Sequence, residues 1–269
     1  MEDVSAGKDW TQVANGLKSA ANALLWDEKT GLFRDNETST VYPQDGNSWA
    51  VRTDLPLSSS QRRSISSKLR ARWGPFGAPA PEAGPSTVSP FIGGFELQAH
   101  YLAGQAGTAL DLIRLQWGFM LEDPRMTGSS FIEGYATDGT LHYGPYGNDA
   151  RISHSHAWSS GPTAVLMHYT AGIHIASGGS NWTISPDPGY LRSVDAGFSA
   201  AAGKFSVSME LTKDGSYRSF NFTTPTGTMG TVCLSGARGM LVSSNGETVS
   251  LLKGTASGVG GGRWRLLIQ

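Results

Sequence analysis

The feature that most limits how this chain can fold is a change of hydrophobic period near residue 180. Before it, apolar side chains recur every three or four positions: Trp10, Val13, Leu17 and Leu24; then Ile65, Leu69 and Trp73; then Phe95, Ala99 and Leu102; then Ala109, Leu112, Ile113, Trp117 and Met120. After it, Phe205, Val207 and Met209 alternate with polar residues, as do Trp264 and Leu266. Asp214-Gly215 and Asn245-Gly246 lie between such alternating runs, the strongest short-range signal of a hairpin tip. The two periods in succession predict an α+β chain in two parts. A helical region over 1–175 meets an antiparallel β region over 180–269, with the junction near 174–183.

Local signals punctuate the helical part. The first helix is predicted over 9–26, with Asp9 as its cap and Gln12 as the reciprocal partner. A short, weak helix follows the QDGN run at Gln44–Asn47, and Ser58–Ser60 cap the next. Residues 74–90, rich in Pro, Gly and Ala, form a long loop. Asp123-Pro124 stops the helix that follows the Phe95 helix. Pro162 sits where a last helix has its first turn, and Gly172 stops that helix.

Composition removes several function classes. The 269 residues are 39% hydrophobic and 16% charged with a net charge of −1, so no basic footprint suits nucleic acid or a membrane surface. No apolar run reaches the length needed to cross a bilayer. The opening MEDVSAGKDW has acidic residues where a secretion signal has basic ones, and no apolar run follows, so the chain as written reads as non-secretory and no compartment is assigned. The single cysteine, Cys233, stands in the alternating run TVCLSG and reads as a strand residue; no internal disulfide can form.

The stretch from Met126 to Thr163 is unlike core material. It carries Glu133 between Phe131 and Tyr135, then Asp138, Tyr143, Tyr146, His154, His156 and Trp158. Aromatic faces with a few polar and acidic groups suit a sugar, whose C–H patches stack on rings while its hydroxyls take directed hydrogen bonds. A carboxylate among aromatics is also placed for acid or base work, which makes Glu133 the first candidate for chemistry. Tyr135 and Trp158 are the aromatic candidates for substrate contact; the competing reading of all five rings is packing. His154 and His156, two apart and without a third ligand or a Cys cluster, do not make a metal site. No cofactor is called for.

SSFIEGY, DGTLHYGPY and SHSHAWSSGPTAVLMHY, preceded by SPFIGGFELQAHYLAG and ALDLIRLQWGFMLEDP, resemble the C-terminal half of the catalytic domain of glycoside hydrolase family 78, the α-L-rhamnosidases. The resemblance implies part of an (α/α)6 barrel, six of its twelve helices, followed by a small antiparallel β-sandwich. It implies inverting hydrolysis of terminal α-L-rhamnosides, with Glu133 as the general base and His156 as a sugar contact. The expected partner is a rhamnose-containing oligosaccharide or glycoside.

Inverting hydrolysis needs a second carboxyl, and the resemblance places that acid upstream, in a motif this sequence does not contain. Asp45, Glu96 and Asp138 are the substitutes available, read as a turn residue, a locally paired helix residue and a turn residue respectively. The chain therefore reads as a truncated form, with an apolar flank open to self-association. The alternative is a catalytically inactive carbohydrate-binding or interaction fragment.

Overall fold

The computed structural model describes residues 4–268. It divides into two compact units, one ending at Pro162 and the other beginning at Thr163. The expected junction at 174–183 lies later than this division. The reason is packing: Ala171 and Ile173 are fully buried in the core of the β-rich unit, and Met167 packs against that core.

In the first unit, α1 (Val4–Leu24) starts ahead of the expected cap and encloses Asp9, because no proline interrupts the preceding residues and a helix once nucleated propagates cheaply. Its apolar stripe faces solvent. Trp10 is 71% and Leu17 64% exposed, with Val13 and Leu24 also exposed, while Lys18 and Asn22 tie the other face to Asp54 and to the Leu55 carbonyl. Strands β1 (Trp26–Asp27) and β2 (Leu32–Phe33) form a small antiparallel hairpin. The Asn47 amide brackets the Phe33 backbone, accepting from its N–H at 2.8 Å and donating to its carbonyl at 2.9 Å, which fixes α2 (Gln44–Arg52) against that hairpin.

The N-terminus of α2 has no side-chain cap of its own; the Glu82 carboxylate takes the Gln44 and Asp45 amides, each at 2.9 Å. Helix α3 (Ser59–Arg70) is capped by Ser58, which accepts from the Gln61 amide. Leu32, Phe33, Ala50, Val51, Ile65, Leu69 and Ala99 form one buried cluster under these elements. Strand β3 (Thr87–Val88) leads into α4 (Pro90–Leu102), which has Pro in its first turn as that position tolerates. Helix α5 (Ala106–Leu112) continues through a π-helical turn, Ile113–Trp117, into α6 (Gly118–Glu122). Strand β4 (Tyr135–Ala136) pairs antiparallel with β3.

After α7 (Gly161–Val165) and a π-helical turn over Leu166–Thr170, Gly172 adopts a positive φ of 72° and ends the helix as expected. The strands of the second unit are β5 (Ile173–Ala176), β6 (Asn181–Ile184), β7 (Ser193–Ala200), β8 (Gly203–Leu211), β9 (Tyr217–Thr223), β10 (Met229–Cys233), β11 (Gly239–Ser243), β12 (Thr248–Ser250), β13 (Thr255–Gly260) and β14 (Arg263–Ile268). They form a four-stranded sheet in the order β13-β10-β6-β5 and a six-stranded sheet in the order β12-β11-β14-β9-β8-β7. Pairing is antiparallel except between β10 and β6, which run parallel, so the all-antiparallel expectation fails at that one ladder.

Asp214-Gly215 and Asn245-Gly246 lie at the β8–β9 and β11–β12 tips, both glycines at positive φ. The alternation seen in the sequence becomes burial: Phe205, Val207 and Met209 are buried with Trp182, Ile184, Phe222, Val232 and Trp264 in one core shared by both sheets.

Candidate active site

Two loop segments are zipped together to make the site. The Glu133 amide donates to the Ser153 carbonyl at 2.8 Å, the His156 amide donates to the Phe131 carbonyl at 2.8 Å, and the Ser130 hydroxyl donates to the His154 carbonyl at 2.9 Å. This register brings two groups twenty-three positions apart side by side: His156 Nδ1 stands 3.8 Å from Glu133 Oε2.

Glu133 is 5% exposed, yet its carboxylate is well supplied with donors. The Tyr146 hydroxyl donates to Oε1 and the Ser153 amide donates to Oε2 at 3.2 Å. A buried carboxylate needs such partners, because desolvating an unpaired charge is costly. The bond to Glu133 raises the pKa of the Tyr146 phenol, and the nearby charge adds to the effect. Tyr143 is raised too, first by burial and then by the Glu133 charge, against a lowering bond from Ser89. Its ring lies directly on Gly134, where a Cβ would come within 2.2 Å of the ring carbons, so only glycine fits beside the base candidate. Tyr143 and Tyr146 meet edge to face at 5.2 Å.

The structure sorts the sequence candidates. Trp158 is 54% exposed, sits in a short 3₁₀ turn, Ala157–Ser159, and touches the His156 ring at 4.3 Å between centroids. Tyr135 differs from its expected role as a substrate contact. It has no exposed surface, and its hydroxyl donates to the Phe76 carbonyl at 2.6 Å; burial pushes its phenol far above the usual range. Standing in β4 with its ring against Phe119, it is a core residue that anchors the Phe76 loop. His154 points its backbone into the zipper while its ring is exposed.

The carboxyls weighed as a second acid are held elsewhere. Burial alone would lift Glu96, but donors outweigh it and keep its pKa low: His100 Nε2 at 3.2 Å, Gln44 Nε2 at 2.5 Å and Trp73 Nε1 at 2.7 Å. Asp138 is exposed and bonded to the Thr140 hydroxyl and amide, which lower its pKa. Asp45 Oδ1 accepts from the Gly46 amide at 2.5 Å.

Two residues that sequence reasoning passed over matter here. Tyr146 read as a packing ring, and nothing in a thirteen-residue spacing signals its bond to Glu133. Glu82 is lifted by burial, which favours its protonated form, but both its oxygens are engaged by the α2 amides, which makes it a helix cap.

Concavities of about 380 and 420 Å³ lie in the β-rich unit, the first lined by His174, Trp182 and Thr231 and the second by Asp214, Tyr217 and Arg238. Neither places a carboxylate beside a histidine, so neither competes with Glu133 on chemical grounds.

The fold of the two units is one found in solved glycoside hydrolases. Among solved structures the chain is similar to the α-L-rhamnosidase of Dictyoglumus thermophilum, with a TM-score of 0.70 and 15% identity over 100% of this chain and 29% of that one. It is similar to the Streptomyces avermitilis α-L-rhamnosidase complexed with L-rhamnose, with a TM-score of 0.65 and 18% identity over 96% of this chain and 24% of that one. The family 78 rhamnosidase of Bacillus sp. GL1 follows at 0.54 and 24% identity, over 73% of this chain and 20% of that one. The resemblance carried by SSFIEGY and SHSHAWSSGPT is thus met in the fold. The chain spans less than a third of the length of these enzymes. No protein-family model matches the sequence, and no match was found among curated protein sequences.

Proposed function

We propose that this chain is an α-L-rhamnosidase-like segment that binds a terminal α-L-rhamnosyl group at Glu133, His156 and Trp158. In this reading its helical unit is part of an (α/α)6 barrel and its two sheets are a small sandwich. The observation that carries the reading is the pairing of a nearly buried, donor-supplied carboxylate with a histidine and a half-exposed tryptophan ring. Glu133 Oε1 accepts from Tyr146, and Oε2, which accepts from the Ser153 amide and faces His156, has a second lone pair with which to orient and deprotonate a water attacking the anomeric carbon with inversion. The imidazole of His156 both donates to and accepts from sugar hydroxyls, and the Trp158 face receives C–H patches.

A second reading, carbohydrate binding without turnover, is favoured by one observation: Glu96 and Asp138 are committed to local donors, so protonation of the leaving oxygen has no assigned source among Asp45, Glu96 and Asp138. The test is titration of the chain with L-rhamnose together with turnover of an aryl α-L-rhamnoside. Saturable binding that survives Glu133→Gln, with turnover in the parent falling by about 10²–10⁴ in the variant, supports hydrolysis. Binding with no turnover in either protein selects the second reading. Absence of rhamnose binding refutes both.

A further inference from the structure

From the candidate site a continuous row of aromatic rings runs outward across two helices. His156 touches Trp158; Trp158 meets Phe91 at 5.0 Å with the planes at 34°; Phe91 meets Phe95 at 4.9 Å and 68°; Phe95 meets Trp49 at 5.0 Å and 51°. Phe91 and Phe95 are four apart on α4, so they stack one turn above the other on a single face. Trp49 belongs to α2, which packs on α4. Trp158, Phe91 and Trp49 are all exposed. The row ends at Arg52, whose guanidinium lies 4.0 Å from the Trp49 ring and 4.8 Å from Phe95 and donates from Nε to Gln98 Oε1 at 2.9 Å. An aligned set of large exposed rings marks a binding surface more often than chance exposure does.

We propose that Trp158, Phe91, Phe95 and Trp49 form an extended carbohydrate-binding track that takes the sugar units beyond the one held at Glu133. The proposal rests on the sugar-binding reading of that site and adds the rest of the ligand to it. Three observations select a saccharide as occupant. The row is continuous with the Glu133–His156 pair, so a chain entering there passes over the rings in turn. The planes are inclined at 34–68°, which suits successive pyranoses, each offering its own apolar face, and gives no coplanar platform for a flat polycyclic molecule. The Arg52–Gln98 pair closes the far end of the row, so the track is bounded by polar side chains, where an apolar protein helix would find no continuing apolar face.

The test titrates the purified chain calorimetrically with L-rhamnose and with a neutral trisaccharide ending in α-L-rhamnose. The parent and two variants, Trp49→Leu and Phe95→Leu, are compared, with their folding checked by circular dichroism. The trisaccharide is expected to bind the parent roughly tenfold more tightly than the monosaccharide, the scale of one well-made stacking contact. Trp49→Leu is expected to erase that difference and leave the monosaccharide affinity unchanged. Equal affinities in the parent, or a gain retained in both variants, would overturn the track while leaving the Glu133 pocket standing. A trisaccharide that binds through Trp49 when L-rhamnose does not bind would support the track and refute the pocket. Binding of neither ligand overturns both. Loss of self-association in Trp49→Leu with sugar affinities unchanged would assign the row to a protein interface instead.

Discussion

His156 Nδ1 stands 3.8 Å from Glu133 Oε2, too far for a direct hydrogen bond, while the backbone amide of the same histidine is locked to the Phe131 carbonyl at 2.8 Å. The backbone, not the ring, carries the structural work of this residue, so its side chain is available to a ligand. His156→Ala is therefore expected to weaken L-rhamnose binding about tenfold, the value of one or two lost hydrogen bonds, while moving the urea midpoint little. Isothermal titration beside a denaturation curve checks this; equal losses in both would return His156 to a structural role.

Tyr146 is a positioning group for Glu133. Removing its hydroxyl in Tyr146→Phe leaves the ring contact with Tyr143 and takes one donor from Oε1. Turnover of an aryl α-L-rhamnoside, where the parent shows it, is expected to fall by about tenfold with KM nearly unchanged, because the carboxylate loses orientation and not the sugar its pocket. A variant indistinguishable from the parent in kcat would show that the Ser153 amide alone holds the carboxylate.

Gly94 and Gly161 touch back to back. A Cβ on Gly161 would lie 2.6 Å from the Gly94 Cα, a backbone atom that cannot step aside without moving α4. Gly161→Ala is expected to destabilise the first unit by about 1–3 kcal/mol, as overpacking does, and to disturb the Phe91–Trp158 contact one turn away. Urea unfolding and tryptophan fluorescence report the two effects separately.

The buried Glu96 network sets a pH dependence. The folded-state pKa of Glu96 is lowered, so its contribution is fully present above the unfolded value near 4.5 and is lost as pH falls through the lower folded value. The urea midpoint of the parent is expected to fall below about pH 4.5. Glu96→Gln is expected to be less stable at pH 7 by about 1–3 kcal/mol, since it disrupts the buried hydrogen bonds from His100, Gln44 and Trp73, and to show a shallower acid slope. Parallel slopes would place the acid sensitivity elsewhere.

The solvent-facing stripe of α1, with Trp10, Val13, Leu17 and Leu24, has the spacing of a helix-packing seam. The chain is expected to show concentration-dependent mass in sedimentation equilibrium, and Leu17→Glu is expected to shift it toward monomer. A parent that stays monomeric across the accessible range would show that this stripe is tolerated in water.

Much of this molecule could be read along the chain, because the signals involved are local. Period-3.6 and period-2 patterns mark helices and strands and, except on α1, whose apolar stripe faces solvent, the side that meets the core, so the helical and β regions, the Gly172 stop and the Asp214-Gly215 and Asn245-Gly246 tips follow from neighbours a few positions apart. Glu133, His156 and Trp158 drew attention for the same reason: polar and aromatic residues crowd a stretch that makes poor core. What the chain order could not express is contact across long separations. Tyr135 and Tyr146 have similar local settings, yet the β3–β4 pairing buries the first and the Ser130–His156 zipper turns the second onto Glu133. Glu82 reaches the α2 amides across thirty-seven and thirty-eight positions, and Trp49 joins Phe95 only because α2 packs on α4. Burial and hydrogen bonding are pairwise in space, and a one-dimensional pattern records only one side of each pair.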